Sequence, residues 1–190
     1  MRNRLLKYLT GLLFMGLGTV LMLKSELGVA AFDALCMGLS ENIHFSTGKC
    51  CMGLGILIIF INSIIEKKIP NIFSFLTSLI VGMCIDFWMK LIIYIPCTSL
   101  WRFFFLIIGM LINTFGIALY ISAELSRGPI DQLMLNISTF FLIIALGLKG
   151  PIGVGTIIVT FSSGVLIQKF LDMIKERKDK KYGCITREKR

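Results

Sequence analysis

Long apolar stretches dominate this chain and limit the folds open to it. Six stretches of 16 or more residues, carrying few charges, follow one another along the 190 residues. About 20 apolar residues in a helix cross the hydrocarbon core of a bilayer, where helices satisfy their own backbone groups. The sequence therefore predicts an all-α, polytopic transmembrane helical bundle of about six spans. The predicted spans are Leu5–Leu23, Cys50–Ile65, Ile69–Ile95, Phe103–Ala123, Leu133–Leu148 and Ile152–Leu171.

Basic residues beside the apolar stretches predict the orientation of the chain. The tail from Lys169 to Arg190 holds nine of the 20 basic residues, and Arg2, Arg4 and Lys7 precede the first span. Such clusters mark cytoplasmic flanks. Two cytoplasmic ends require an even number of crossings, so six spans are expected, with five as the alternative because the fifth stretch is short. We expect a multi-pass protein of a bacterial inner membrane.

The partners expected from this pattern are the lipid bilayer and a small-molecule or ion substrate. The net charge of +9 comes largely from the tail, and its basic residues are not interleaved with aromatic ones, so no nucleic-acid partner is expected. A homo-oligomer remains compatible with the sequence.

Residues for metal or catalytic chemistry are scarce. The six cysteines show no CxxC pairing and His44 is the single histidine, so no metal or cofactor is predicted. The segment Gly150–Thr156 is rich in glycine but lacks the Gly-Lys-Ser/Thr of a phosphate loop. No nucleophile–base pair has enzyme spacing, and we expect a protein that is not an enzyme.

An internal repeat is the most informative pattern. A shift of 98 residues lays Gly11–Ser40 on Gly109–Ser138 without a gap, and nine of the 30 positions are identical. With three spans in each half, the two copies enter the membrane from opposite sides. The sequence thus predicts two inverted three-span repeats, an arrangement that builds many secondary transporters. Duplication of a purely structural unit is the alternative.

Three regions follow from this repeat: residues 1–100 form the first membrane repeat, 101–174 the second and 175–190 a basic cytoplasmic tail. The second copy is short. Ser40 and Pro70 are 30 positions apart, whereas Ser138 and Pro151 are 13 apart, so the second copy lacks about 17 residues.

Repeated or intramembrane acids are the candidate substrate-binding residues. Asp33 and Asp131 follow spans where a helix restarts, so each either caps that helix or faces a polar cavity in a re-entrant segment. Asp86 lies deep in an apolar stretch and either binds substrate or pairs with Lys90 one turn later. The candidate set is Glu26, Asp33, Asp86, Glu124 and Asp131.

Glycines seven residues apart share one helix face and predict close helix packing. These are Gly11 and Gly18 in the first repeat and Gly109 and Gly116 in the second. Polar residues inside spans, such as Asn113, are interpreted as interhelical hydrogen-bonding groups.

Short motifs resemble the YczE/YitT-like bacterial membrane proteins. They are a glycine-bearing first span, then Leu27-Gly28, Phe32-Asp33 and Thr47-Gly48, and finally Gly150-Pro151 before Gly153-Val154-Gly155-Thr156. Ala31 and Phe32 depart from the pattern, which usually has Pro and Trp there. The resemblance implies a small multi-pass membrane protein, in a family whose functions are mostly unassigned.

The leading hypothesis from these observations is a transporter of a small, cationic solute with its site between the two repeats. One alternative is the substrate-binding membrane subunit of a vitamin-type importer, although Leu5–Leu23 lacks the alanines through which such subunits dock. The other alternative is a non-transporting accessory or scaffold protein.

Overall fold

Helices account for all the regular secondary structure in the part of the chain that the computed structural model describes. This part comprises residues 2–66, 72–93, 98–123, 156, 159, 162–163 and 166–174. The result confirms the all-α prediction. Residues 166–174 are helical, and the helices with complete bounds are α1 (Arg2–Ser25), α2 (Ala31–Ile43), α3 (Thr47–Glu66), α4 (Ile72–Leu91) and α5 (Ser99–Ser122).

Three described helices are long and apolar enough to cross a membrane, within Arg4–Ser25, Ser74–Leu91 and Ser99–Ser122. The bent pair of α2 and α3 gives a fourth candidate if it is counted as one span. The described helices thus support three or four of the six predicted crossings. The predicted crossing Leu133–Leu148 lies outside the described residues, and Ile152–Leu171 is described only in scattered residues and at its end.

Helices α1 and α5 pack closely through four glycines. A Cβ atom on Gly11 would lie 2.9 Å from the main-chain oxygen of Gly116, and one on Gly109 would lie 2.9 Å from that of Gly18. Residue numbers rise along α1 as they fall along α5, so the two helices are antiparallel. The absence of side chains at these positions lets the backbones meet and gain dispersion contacts.

Contacts of α4 give the directions of the remaining helices. Tyr8 hydrogen-bonds Thr77, and a Cβ on Gly16 would meet Cys84, so α1 and α4 run in parallel. A Cβ on Gly48 would meet Asp86, and one on Gly55 would meet Ser78, so α3 and α4 are antiparallel. The end of α1 and the start of α3 therefore lie at the same end of the bundle.

Helix α2 connects these two points and does not cross the membrane by itself. The chain changes direction by 117° between α2 and α3. Because this angle exceeds 90°, α2 has a component opposite to α3, and the two helices do not form one continuous crossing. The segment between α1 and α2 instead enters the bundle, and α2 runs back towards the end where α1 finishes and α3 begins, as in a re-entrant segment.

Candidate functional site

The segment between α1 and α2 takes the chain into the bundle through an unusual backbone conformation. Glu26 has a φ of 55° and Gly28 a φ of 125°, which favours glycine because it has no Cβ atom. Val29 is 1% exposed. The Leu27-Gly28 motif is thus a turn that the backbone requires before α2 begins.

Helix α2 shares buried clusters with residues of α1 and α5 that lie inside the bundle, away from the ends of those helices. Cys36 of α2 belongs to the same buried cluster as Val20, five residues before the end of α1. Leu35 belongs to the same cluster as Leu106, seven residues after the start of α5, and as Val159. At 1.5 Å per residue, Val20 and Leu106 lie about 8–10 Å inside the helix ends. Residues from both predicted repeats therefore share the buried clusters of α2.

Asp33 lies in the first turn of α2, which begins at Ala31 without a side-chain cap on Ala30. The prediction of a helix restart with an early acid matches this arrangement. The Asp33 side chain is half-buried, and it forms no hydrogen bond or ion pair with any residue that the structure describes. An acidic group inside the membrane carries a high free-energy cost when it has no partner. Asp33, which has none among the described residues, is therefore the strongest candidate for function.

Asp86 has a structural partner that its sequence context does not predict. Its Oδ1 accepts a hydrogen bond from the backbone N–H of Gly48 at 2.9 Å, and its Oδ2 accepts one from Ser46 Oγ at 2.7 Å. Within the described helices it forms no ion pair with Lys90. Asp86 therefore caps the start of α3, where a carboxylate also complements the helix dipole.

A cavity of about 380 Å³ opens beside Asp86. Two lysines, Lys49 and Lys90, line it together with this single acid. The other polar lining residues are Ser40, Ser46 and Thr47. The lining has a net charge of +1, and the Asp86 oxygens already accept hydrogen bonds. This cavity is therefore poorly suited to a cation.

Glu26 is paired rather than free. Its Oε2 lies 2.9 Å from Nη2 of Arg102, with the Arg102 side chain 32% and the Glu26 side chain 51% exposed. The bond joins the end of α1 to the first turns of α5. The sequence pattern alone does not identify Arg102 as the partner of Glu26.

The five candidate acids do not form one described cluster. Glu26, Asp33 and Asp86 have different surroundings, and Glu124 and Asp131 lie outside the described residues. The described residues contain no group of three His, Cys, Asp or Glu side chains able to hold a metal ion. Cys36, Cys50, Cys51 and Cys84 are buried free thiols.

These features define an α-helical integral membrane protein. The chain belongs to a family of unknown function, DUF6198, whose model matches residues 2–172. It is 30% identical to the uncharacterized protein YyaS of Bacillus subtilis strain 168, over 88% of this chain and 92% of YyaS.

Two further relatives place the chain in the same group. The uncharacterized membrane protein YczE of Bacillus subtilis is 26% identical over 85% of this chain and 82% of YczE, which confirms the YczE-like resemblance. An uncharacterized protein of Haemophilus influenzae strain Rd is 25% identical over 87% of this chain and 82% of that protein. No solved structure matches the chain.

Proposed function

We propose that this protein is a multi-pass transporter of the bacterial inner membrane that carries a small cationic solute at a site between two inverted repeats. Both termini face the cytoplasm in this proposal. The basic tail and the basic N-terminus support that orientation. With the N-terminus inside, α1 and α4 run outward and α3 and α5 run inward, so the re-entrant α2 lies on the outer side.

The observation that carries the proposal is the symmetry of the α1–α5 contact. Gly11 packs against Gly116. The equivalent glycines 98 positions away, Gly109 and Gly18, pack against each other in the same way. Antiparallel packing alone relates the numbers of the two pairs, and the repeat adds that the residues at both contacts are glycines in equivalent positions. A two-fold axis in the membrane plane explains both patterns, and secondary transporters with inverted repeats have such an axis.

Backbone contacts beside the glycines obey the same exchange. A Cβ on Gly116 would lie 2.5 Å from the backbone nitrogen of Met15, and a Cβ on Gly18 would meet that of Asn113. Met15 and Asn113 are themselves 98 positions apart. The backbones of α1 and α5 therefore approach each other equally closely at both glycine contacts.

A ring contact in the second half gives further support. Phe170, in the helical residues 166–174, packs against Phe115 of α5 with 5.8 Å between ring centroids. In the first half, Trp88 of α4 donates to the main-chain oxygen of Leu13 in α1 at 3.2 Å. Each repeat thus packs a later helix against a similar level of its own first helix.

The proposed cation site is at Asp33. This acid lies in a re-entrant helix that shares buried clusters with residues of both halves, and it has no partner among the described residues. Asp86 caps α3 and Glu26 pairs with Arg102, so neither offers a free carboxylate. Broken helices at membrane depth commonly line the binding sites of transporters.

Thiol labelling tests whether α2 borders a cavity that opens to water. The probe is a membrane-impermeant methanethiosulfonate, applied to either face of membrane vesicles. Met37 lies one turn after Asp33 on the same helix face, so Met37→Cys reports on the site while leaving the acid intact. We expect labelling from both faces. Leu79→Cys, on an exposed apolar face of α4, is the lipid-facing control and should label from neither.

Flux measurements test the role of the acid. A comparison of metabolites between a deletion strain and its parent would select the solutes to load into liposomes containing the purified protein. Asp33→Asn should abolish flux of the selected cation, whereas Glu41→Gln, an exposed acid on the same helix, should leave it unchanged. Unchanged flux in Asp33→Asn would reject the acidic site. Absence of labelling at Met37 from either face would favour the scaffold alternative.

A further inference from the structure

The ion pair between Glu26 and Arg102 joins the start of the chain segment that leads into the proposed site to helix α5. Glu26 is the first residue after α1, and α2 begins five residues later at Ala31. Arg102 lies in the first turns of α5 and is held by its own helix through a hydrogen bond from its backbone N–H to Thr98 O at 3.0 Å. The ion pair therefore ties the entrance of the re-entrant segment to a neighbouring helix.

The position of this pair suggests a role beyond stability. A half-exposed ion pair contributes little to the stability of a fold. A weak ion pair is nevertheless suited to a segment that moves during transport, because the pair must break and form again in each transport cycle. In the proposed orientation the pair lies at the outer ends of α1 and α5, and the chain passes from Glu26 into α2 and Asp33.

Sequence spacing gives a second, independent reason to single out this pair. Arg4 stands 98 positions before Arg102, the same shift that relates the two repeats, and each arginine lies seven residues before a glycine of the α1–α5 contact. The match extends the repeat upstream of Gly11. Both repeats thus place an arginine in the first turns of their first helix.

We propose that the Glu26–Arg102 ion pair is the outer closure of the Asp33 site, which opens when the pair breaks. This proposal rests on the proposed function. It assigns the pair a conformational role: the closed pair holds the segment before α2 against α5, and its release lets water and solute reach Asp33 from outside.

The test measures how fast the impermeant methanethiosulfonate reacts with Met37→Cys from the outer face. Arg102→Gln should raise the rate by up to about fivefold, the population shift expected when one half-exposed ion pair is lost. Lys24→Gln removes the same charge two residues before Glu26 and is the matched control. It should leave the rate unchanged.

A further variant of the labelling experiment exchanges the charges of Glu26 and Arg102. The double variant Glu26→Arg, Arg102→Glu should return the rate to that of the parent, which also guards against a variant that merely folds poorly. An outer rate that is equal in all variants, while Met37→Cys still labels from the inner face, would overturn the closure alone. No labelling from either face in any variant would overturn the two-sided site and the closure together.

Discussion

The side-chain nitrogen of Asn113 lies 3.2 Å from the main-chain oxygen of Met15, the residue 98 positions before it. An exchange of the two proposed repeats converts this pair of positions into itself. Residues that contact their own equivalents lie near a symmetry axis, so the Met15–Asn113 contact is where the proposed two-fold axis passes between α1 and α5. The glycine contacts lie on either side of it.

Substitution of Gly18 should destabilise the protein. A Cβ there would overlap with backbone atoms of Asn113 and Gly109, which cannot move without shifting α5. Overpacking of this kind costs about 1–3 kcal/mol. We expect Gly18→Ala to lower the midpoint of thermal unfolding in detergent. Gly53 has no atom within 4 Å of its Cβ position, so Gly53→Ala should be neutral or stabilising. Equal effects would contradict the packing role.

A buried hydrogen bond should couple α1 to α5. Asn113 Nδ2 donates to Thr19 Oγ1 at 2.8 Å, and Thr19 is 2% exposed. Thr19→Val removes the acceptor and nearly keeps the shape. A double-mutant cycle with Asn113→Ala should give a coupling of about 0.6–1.7 kcal/mol in unfolding free energy, the range for such bonds in membrane proteins. Additive effects of the two substitutions would show that the bond contributes nothing.

The structural role of Asp86 predicts a clear difference between two substitutions. Asp86→Ala removes both hydrogen bonds at the start of α3 and should lower the unfolding free energy by about 1–3 kcal/mol. Asp86→Asn keeps one acceptor for Gly48 N–H and should cost less. Lys90→Ala should have little effect. If Lys90→Ala were as destabilising as Asp86→Ala, the Asp86–Lys90 pair would be the better description of this acid.

The sequence predicted those features that depend on local periodicity. Spacing of seven residues placed Gly11 and Gly18 on one face, and a helix packs through such a face whatever its partner. The apolar stretches predicted the helices within a few residues: the span predicted as Phe103–Ala123 is α5, which begins at Ser99. Asp33 was correctly expected near a helix start because the polar residue interrupts an apolar pattern.

Features that depend on distant partners could not be predicted in this way. The groups that hold Asp86 lie 38 and 40 residues earlier in the chain. No periodicity links positions so far apart. The Glu26–Arg102 pair is a similar case, because the repeat shift aligns these residues with Glu124 and Arg4 but does not indicate which residues pair.

The same shift predicts an ion pair between Arg4 and Glu124, the residues 98 positions from Arg102 and Glu26. Glu124 lies outside the described residues, so this pairing rests on the spacing alone. Arg4 is exposed in the first turns of α1 and forms no ion pair with any described residue. If the repeats alternate, the inner pair should be open when the outer pair is closed, because a single site cannot face both sides at once.

Labelling of Met37→Cys from the cytoplasmic face tests this prediction. Arg4→Gln should raise the inner rate by up to about fivefold, and the exchanged variant Arg4→Glu, Glu124→Arg should restore it. Arg2→Gln removes the same charge two residues away and should change nothing. An equal response to Arg2→Gln and Arg4→Gln would mean that the labelling reports general surface charge. A specific response would instead extend the two-fold relation to the charges at both ends of the α1–α5 pair.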